Sequence, residues 1–122
     1  MENKDSLKCI RTIADFPTIY QTGNQTPLEV MEQSGYSRLF SSVIIENIAD
    51  YLIQNPKLIE DWRNYSEDIR HSSAWTFGQD KNGSWTVSYW EGGKLIDKHS
   101  YRDKFVACAK MIKMTFEEIR KR

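Results

Sequence analysis

The sequence predicts an α+β fold: N-terminal helices, a three-stranded antiparallel β-meander, and a long C-terminal helix packed on the sheet. Three observations predict it. Apolar residues recur at helical spacing as far as about residue 69, the period shortens to 2 between about 72 and 99, and helical spacing returns from about 101. A meander with one apolar face is not stable alone in water, so helices are expected to cover it. The 122 residues suit one domain, 1–122, and 39% apolar with 12% aromatic side chains suffices for a packed core.

Each element has its own local signals. Leu7, Ile10, Ile13 and Ala14 suggest a short helix over about 5–14, which Pro17 is expected to end. Gly23-Asn24 and the surrounding Thr and Gln residues make 17–25 a loop, so residues 1–25 are expected to be partly irregular. Thr26-Pro27-Leu28-Glu29 reads as a capping box with proline in the first turn, opening a helix over about 27–34 that Gly35 stops. Ser37 is expected to cap a longer helix over 37–54, with Leu39, Phe40, Val43, Ile44, Ile48, Tyr51 and Leu52 on one stripe. Asn55-Pro56 ends it and opens a helix over 56–69, in which Leu58, Ile59, Trp62, Tyr65 and Ile69 share a face.

Strands are predicted over about 72–79, 84–91 and 94–99. Asp80-Lys81-Asn82-Gly83 turns the first into the second, because Asn-Gly accepts the positive φ of tight hairpins, and Glu91-Gly92-Gly93 turns the chain again. Lys94 and Lys98 suit the third strand to a sheet edge. Ser100-Tyr101-Arg102-Asp103 resembles a capping box and opens a helix over about 101–120, with Phe105, Cys108, Ile112, Phe116 and Ile119 on its apolar stripe. Lys110, Lys113, Arg120, Lys121 and Arg122 are expected in solvent.

Seventeen basic and seventeen acidic side chains balance, which argues against a dedicated nucleic-acid binder. The balance is uneven along the chain: residues 1–69 carry 6 basic and 11 acidic side chains, residues 70–122 carry 11 and 6. An acidic half can be a solvated face or can steer a basic partner. Cys9 and Cys108 lack paired spacing, so no disulfide is expected, and Cys108 falls in an apolar helical pattern. The polar N-terminus has no signal-peptide core and no window is long and apolar enough for a membrane span, so residence in the reducing cytoplasm is expected.

No motif predicts catalysis, a metal or a cofactor. His71 and His99 have no partners at metal-ligand spacing, and Gly92-Gly93 is a turn rather than a phosphate cradle. The densest polar and aromatic cluster runs from Glu60 to His71. Its carboxylates Glu60, Asp61, Glu67 and Asp68 can form a solvated helix face, an acidic binding patch or, as in glycosidases, an acid–base pair. As a binding patch it would use Asp61, Glu67 and Asp68 for charge, Trp62 or Tyr65 as anchor, and Arg70 and His71 as further contacts. Trp90 is expected on the sheet face opposite Trp85, Val87 and Tyr89, where either the N-terminal segment or a partner would cover it.

The stretch Tyr65-Ser66-Glu67-Asp68-Ile69-Arg70-His71-Ser72-Ser73-Ala74-Trp75, the strand Trp85-Thr86-Val87-Ser88-Tyr89-Trp90 and the segment Tyr101 to Ala109 resemble small bacterial immunity proteins of contact-dependent inhibition and polymorphic toxin systems. The resemblance spans roughly residues 60–120. It implies a cytoplasmic, non-enzymatic protein that binds one cognate toxin domain, often a nuclease, in a 1:1 complex and blocks its active site, with no nucleic acid, membrane or cofactor as partner. A small enzyme built on Asp61, Glu67 and Asp68, and a structural or adaptor domain without a defined ligand, remain open beside it.

Overall fold

The computed structural model describes residues 4–23, 25–68 and 73–121. Among them are α1 (Lys4–Ala14), α2 (Phe16–Gln21), α3 (Pro27–Ser34), α4 (Tyr36–Leu39), α5 (Ile45–Gln54) and α6 (Lys57–Asp68), strands β1 (Ala74–Gln79), β2 (Trp85–Glu91) and β3 (Lys94–Tyr101), and α7 (Lys104–Arg120). The fold is α+β, with an antiparallel sheet in the order β1-β2-β3 and α7 packed across all three strands. The other face of α7 meets α5 and the helices around it, so this one helix joins the helical layer to the sheet.

The capping box at α3 is present: Thr26 Oγ1 accepts from the Glu29 N–H at 3.2 Å, and Glu29 Oε1 accepts from the Thr26 N–H at 3.2 Å. Gly35, with φ of +79°, stops the helix in the left-handed region that glycine enters most freely. Several local expectations fail. Pro17 does not end the N-terminal helix; it sits in the first turn of α2, where its missing N–H costs no hydrogen bond. Residues 4–21 are therefore almost wholly helical, and Cys9, Ile10, Ile13, Ala14 and Phe16 are core residues rather than part of an irregular arm.

The helix predicted over 37–54 is two helices, α4 and α5, joined by a turn over 40–44. The cause lies far along the chain. Lys113 Nζ donates to the carbonyls of Phe40 at 2.6 Å and Val43 at 2.7 Å, holding the turn that the Val43 N–H closes on the Phe40 carbonyl at 3.3 Å. Lys113 is thus half-buried, over the Tyr36 ring at 5.0 Å, and Arg120 lies 3.7 Å from the Phe40 ring centre, so neither is the solvated charge that the sequence suggested. At the start of α7, the cap is Asp103, whose Oδ1 accepts from the Phe105 N–H at 2.8 Å; Tyr101 belongs to β3.

The hairpin register sets which residues meet the helices. Phe77 pairs with Val87, both fully buried, and Trp75 pairs with Tyr89 on the same face. Trp85 stacks on Phe77 at 5.4 Å. Cys108, Met111, Ile112 and Phe116 of α7 complete this core, and Cys9 and Cys108 are both buried, free thiols. The two sheet edges differ. Along β1, the Phe77 N–H donates to Ser66 Oγ of α6 at 2.8 Å, so α6 closes that edge. Along β3 the edge is open, largely exposed, and interrupted by an irregularity opposite Val87–Tyr89, where Asp97 has φ of +52°.

Candidate functional site

Trp62 organises the helical half. Its Nε1–H donates to the carbonyl of Ala14 at 2.8 Å, capping the last turn of α1, and its ring is fully buried among Phe16 and Tyr65. Trp62 and Tyr65 therefore cannot be the surface anchors that the sequence suggested. A helical stripe of aromatic residues has instead been used in the core, because burying two such rings stabilises far more than leaving them wet. Glu60 and Glu67 are exposed on α6, and Asp61 is turned away from them into a cleft, so these three carboxylates do not converge. Arg70 and His71 lie outside the described residues, as does the side chain of Asp68.

The Trp62–Ala14 bond sets Asp15 and Asp61, the neighbours of the bonded residues, on the walls of one cavity of 620 Å³. Arg11, Asp15, Tyr51, Lys57 and Asp61 line it, with Ile19, Pro56 and Leu58 as apolar wall. The Tyr51 hydroxyl donates to Asp15 Oδ1 at 3.5 Å, a long bond. Burial pushes the Asp15 carboxyl above its ordinary range; the Tyr51 bond and Arg11 pull it down, and the charge of Asp61 adds to the rise. The same burial, with the Asp15 charge, raises the Tyr51 phenol. Neither Asp15 nor Asp61 forms a salt bridge among the described residues, and neither do Arg11 and Lys57.

A second, smaller cavity of 290 Å³ adjoins through Tyr51, lined also by Leu7, Asn47, Asp50, Ile53 and Gln54. Leu7 and Ile53 keep 43% and 53% of their surface in solvent, high for apolar residues on helices that otherwise bury theirs. The face of α1 and α5 thus carries two exposed aliphatic groups with carboxylates beside them.

Trp90 is half-buried on the sheet face opposite the Phe77–Val87 pair, between Ala74 and the exposed Leu95. Among the described residues the N-terminal helices pack elsewhere, α1 on α3, α4, α5 and α7 and α2 on α6. Among the described residues no group of His, Cys, Asp or Glu is placed to hold a metal ion, and no helix is long and apolar enough to cross a membrane.

Arg11, Asp15, Tyr51 and Lys57 were not legible as site residues. The one available signal was the repeat of a base followed four residues later by an acid, Arg11/Asp15 and Lys57/Asp61, on two helices. No family model matches the chain, and neither any curated protein nor any solved structure does.

Proposed function

We propose that this protein works by binding another protein, as an immunity protein that neutralises a cognate toxin domain, and that the α1–α5 face with the Asp61 end of α6 is the contact surface. The observation that carries the reading is the exposure of Leu7 and Ile53 around Tyr51, beside Asp50, Asp15 and Asp61. Aliphatic and aromatic groups surrounded by charge are the anatomy of a protein interface. The acidic excess of residues 1–69 would steer a basic surface, the kind a nuclease presents to its substrate, and would set the association rate and choice of partner more than the final affinity. Such a protein needs a rigid scaffold and no bond-making of its own.

Co-expression with the toxin domain encoded beside its gene tests this. Growth is expected to be restored by the wild-type chain and lost again with Leu7→Asp plus Ile53→Asp, two exposed positions where the fold should be unaffected. Growth arrest whether or not the wild-type protein is present would overturn the reading.

A further inference from the structure

The 620 Å³ cleft at the border of the partner-binding surface carries charges of both signs. Its volume falls in the range of small-molecule sites, where an apolar wall surrounds a few oriented polar groups. Four charged side chains line it, two of each sign: Arg11 of α1 with Asp15 at the α1–α2 junction, and Lys57 with Asp61 of α6. No salt bridge joins either pair, although the charge of Arg11 reaches Asp15. Asp15 and Asp61 share the lining of the cleft, and Asp15 is half-buried.

A ligand carrying only a cation would relieve the two carboxylates and leave Arg11 and Lys57 facing a positive charge. One carrying only an anion would do the reverse. A molecule with both signs a few bonds apart satisfies both sets at once, while its carbon chain can lie on Ile19, Pro56 and Leu58. Tyr51, whose hydroxyl already reaches Asp15, and the polar side chains of Thr12 and Thr18 supply neutral hydrogen-bonding groups.

We propose that the cleft between α1, α2, α5 and α6 binds a small zwitterion of the amino-acid class, its ammonium held by Asp15 and Asp61 and its carboxylate by Arg11 or Lys57. The cleft shares Asp15, Tyr51 and Asp61 with the proposed contact surface, but small-molecule binding is read on the chain without a protein partner, so it stands or falls separately from the interface reading.

The common L-amino acids, added singly at millimolar concentration to the isotope-labelled full chain, are the probes, with amide and side-chain carboxyl resonances as the readout. At least one is expected to give saturable shifts centred on Asp15, Tyr51 and Asp61. For that amino acid, the amine lacking the carboxylate and the acid lacking the ammonium are each expected to bind about 10- to 100-fold more weakly, the usual cost of losing one charge-assisted hydrogen bond. Asp61→Asn should weaken the amino acid and the amine alike, and Lys57→Gln or Arg11→Gln the amino acid and the acid. Lys57 and Arg11 are exposed, so these variants keep the fold and the test stays decisive. The proposal is overturned if no amino acid gives saturable shifts at the cleft, if the shifts centre elsewhere, or if the amine alone binds as tightly as its parent.

Discussion

Replacing Lys113 by Met should destabilise the protein by about 2–3 kcal/mol, a large effect for a lysine on the outer part of a helix. The ammonium bridges α7 to the turn between α4 and α5 through the Phe40 and Val43 carbonyls, at 2.6 and 2.7 Å, and sits over the Tyr36 ring. Methionine preserves the stem and the helix propensity, so the change isolates the charged end. The Val43 carbonyl left short of a partner costs roughly 1–3 kcal/mol if water cannot reach it, the Phe40 carbonyl costs less because it keeps the Val43 N–H at 3.3 Å, and the ring contact adds about 0.5–1 kcal/mol. Against this stands relief of the desolvation that lowers the Lys113 pKa, which is why the expected total is below the simple sum. Urea unfolding followed by tryptophan fluorescence, with the slope of the transition unchanged, measures the difference. A loss smaller than about 0.5 kcal/mol, the ordinary scatter of surface substitutions, would refute the claim that this side chain holds the α4–α5 turn in place.

Trp62→Phe should cost about 2–4 kcal/mol, combining a lost indole bond to Ala14 with a cavity between α1 and α6, and thermal unfolding will report it. Asp103→Ala removes the cap of α7 and should cost about 1 kcal/mol in the same assay. Asp15 has a raised carboxyl pKa, so the folded state holds its proton more tightly than the unfolded state, and its contribution to stability falls as pH rises from the ordinary carboxylate range through the raised value. Asp15→Asn should therefore gain stability relative to wild type between acid and neutral pH, and an unchanged difference across that range would contradict the assignment. Glu117 behaves oppositely. Burial raises its carboxyl, but the 2.6 Å bond from Arg120 and the charges of Lys113, Arg120 and Lys121 outweigh it, so its pKa lies below normal. Its stabilisation is complete above the ordinary carboxylate pKa and is lost as pH falls through the lowered one; Glu117→Gln should flatten the acid limb of a stability–pH profile.

What could be read from the chain was what short segments decide by themselves. Thr26 and Glu29 cap α3 from three residues apart, Asn82-Gly83 turns β1 into β2, and the alternation around Val87 shows which sheet face is buried. The break between α4 and α5 was hidden because the group that causes it, Lys113, is some 70 residues away in sequence. The cleft was hidden for the same reason: it exists because Trp62 reaches Ala14 across 48 residues and brings two unremarkable Asp side chains together. Of the residues suggested for binding, Asp61 keeps a place on an accessible wall, whereas Trp62 and Tyr65 are spent inside. Composition marks an aromatic residue as valuable, but only the packing of α1 on α6 decides whether that value is used inward or outward.

The unequal borders of the sheet bear on how the molecule behaves in crowded conditions. With Ser66 occupying the amide of Phe77, neighbouring molecules could extend the ladder only beside Lys94–Tyr101. There, Lys94 holds an exposed charge against an incoming strand, while Lys98 is paired with Asp80 at 2.7 Å, and the kink at Asp97 throws the amides out of step midway. Runaway stacking of strands is therefore checked at both ends, by steric cover on one and by charge and misalignment on the other.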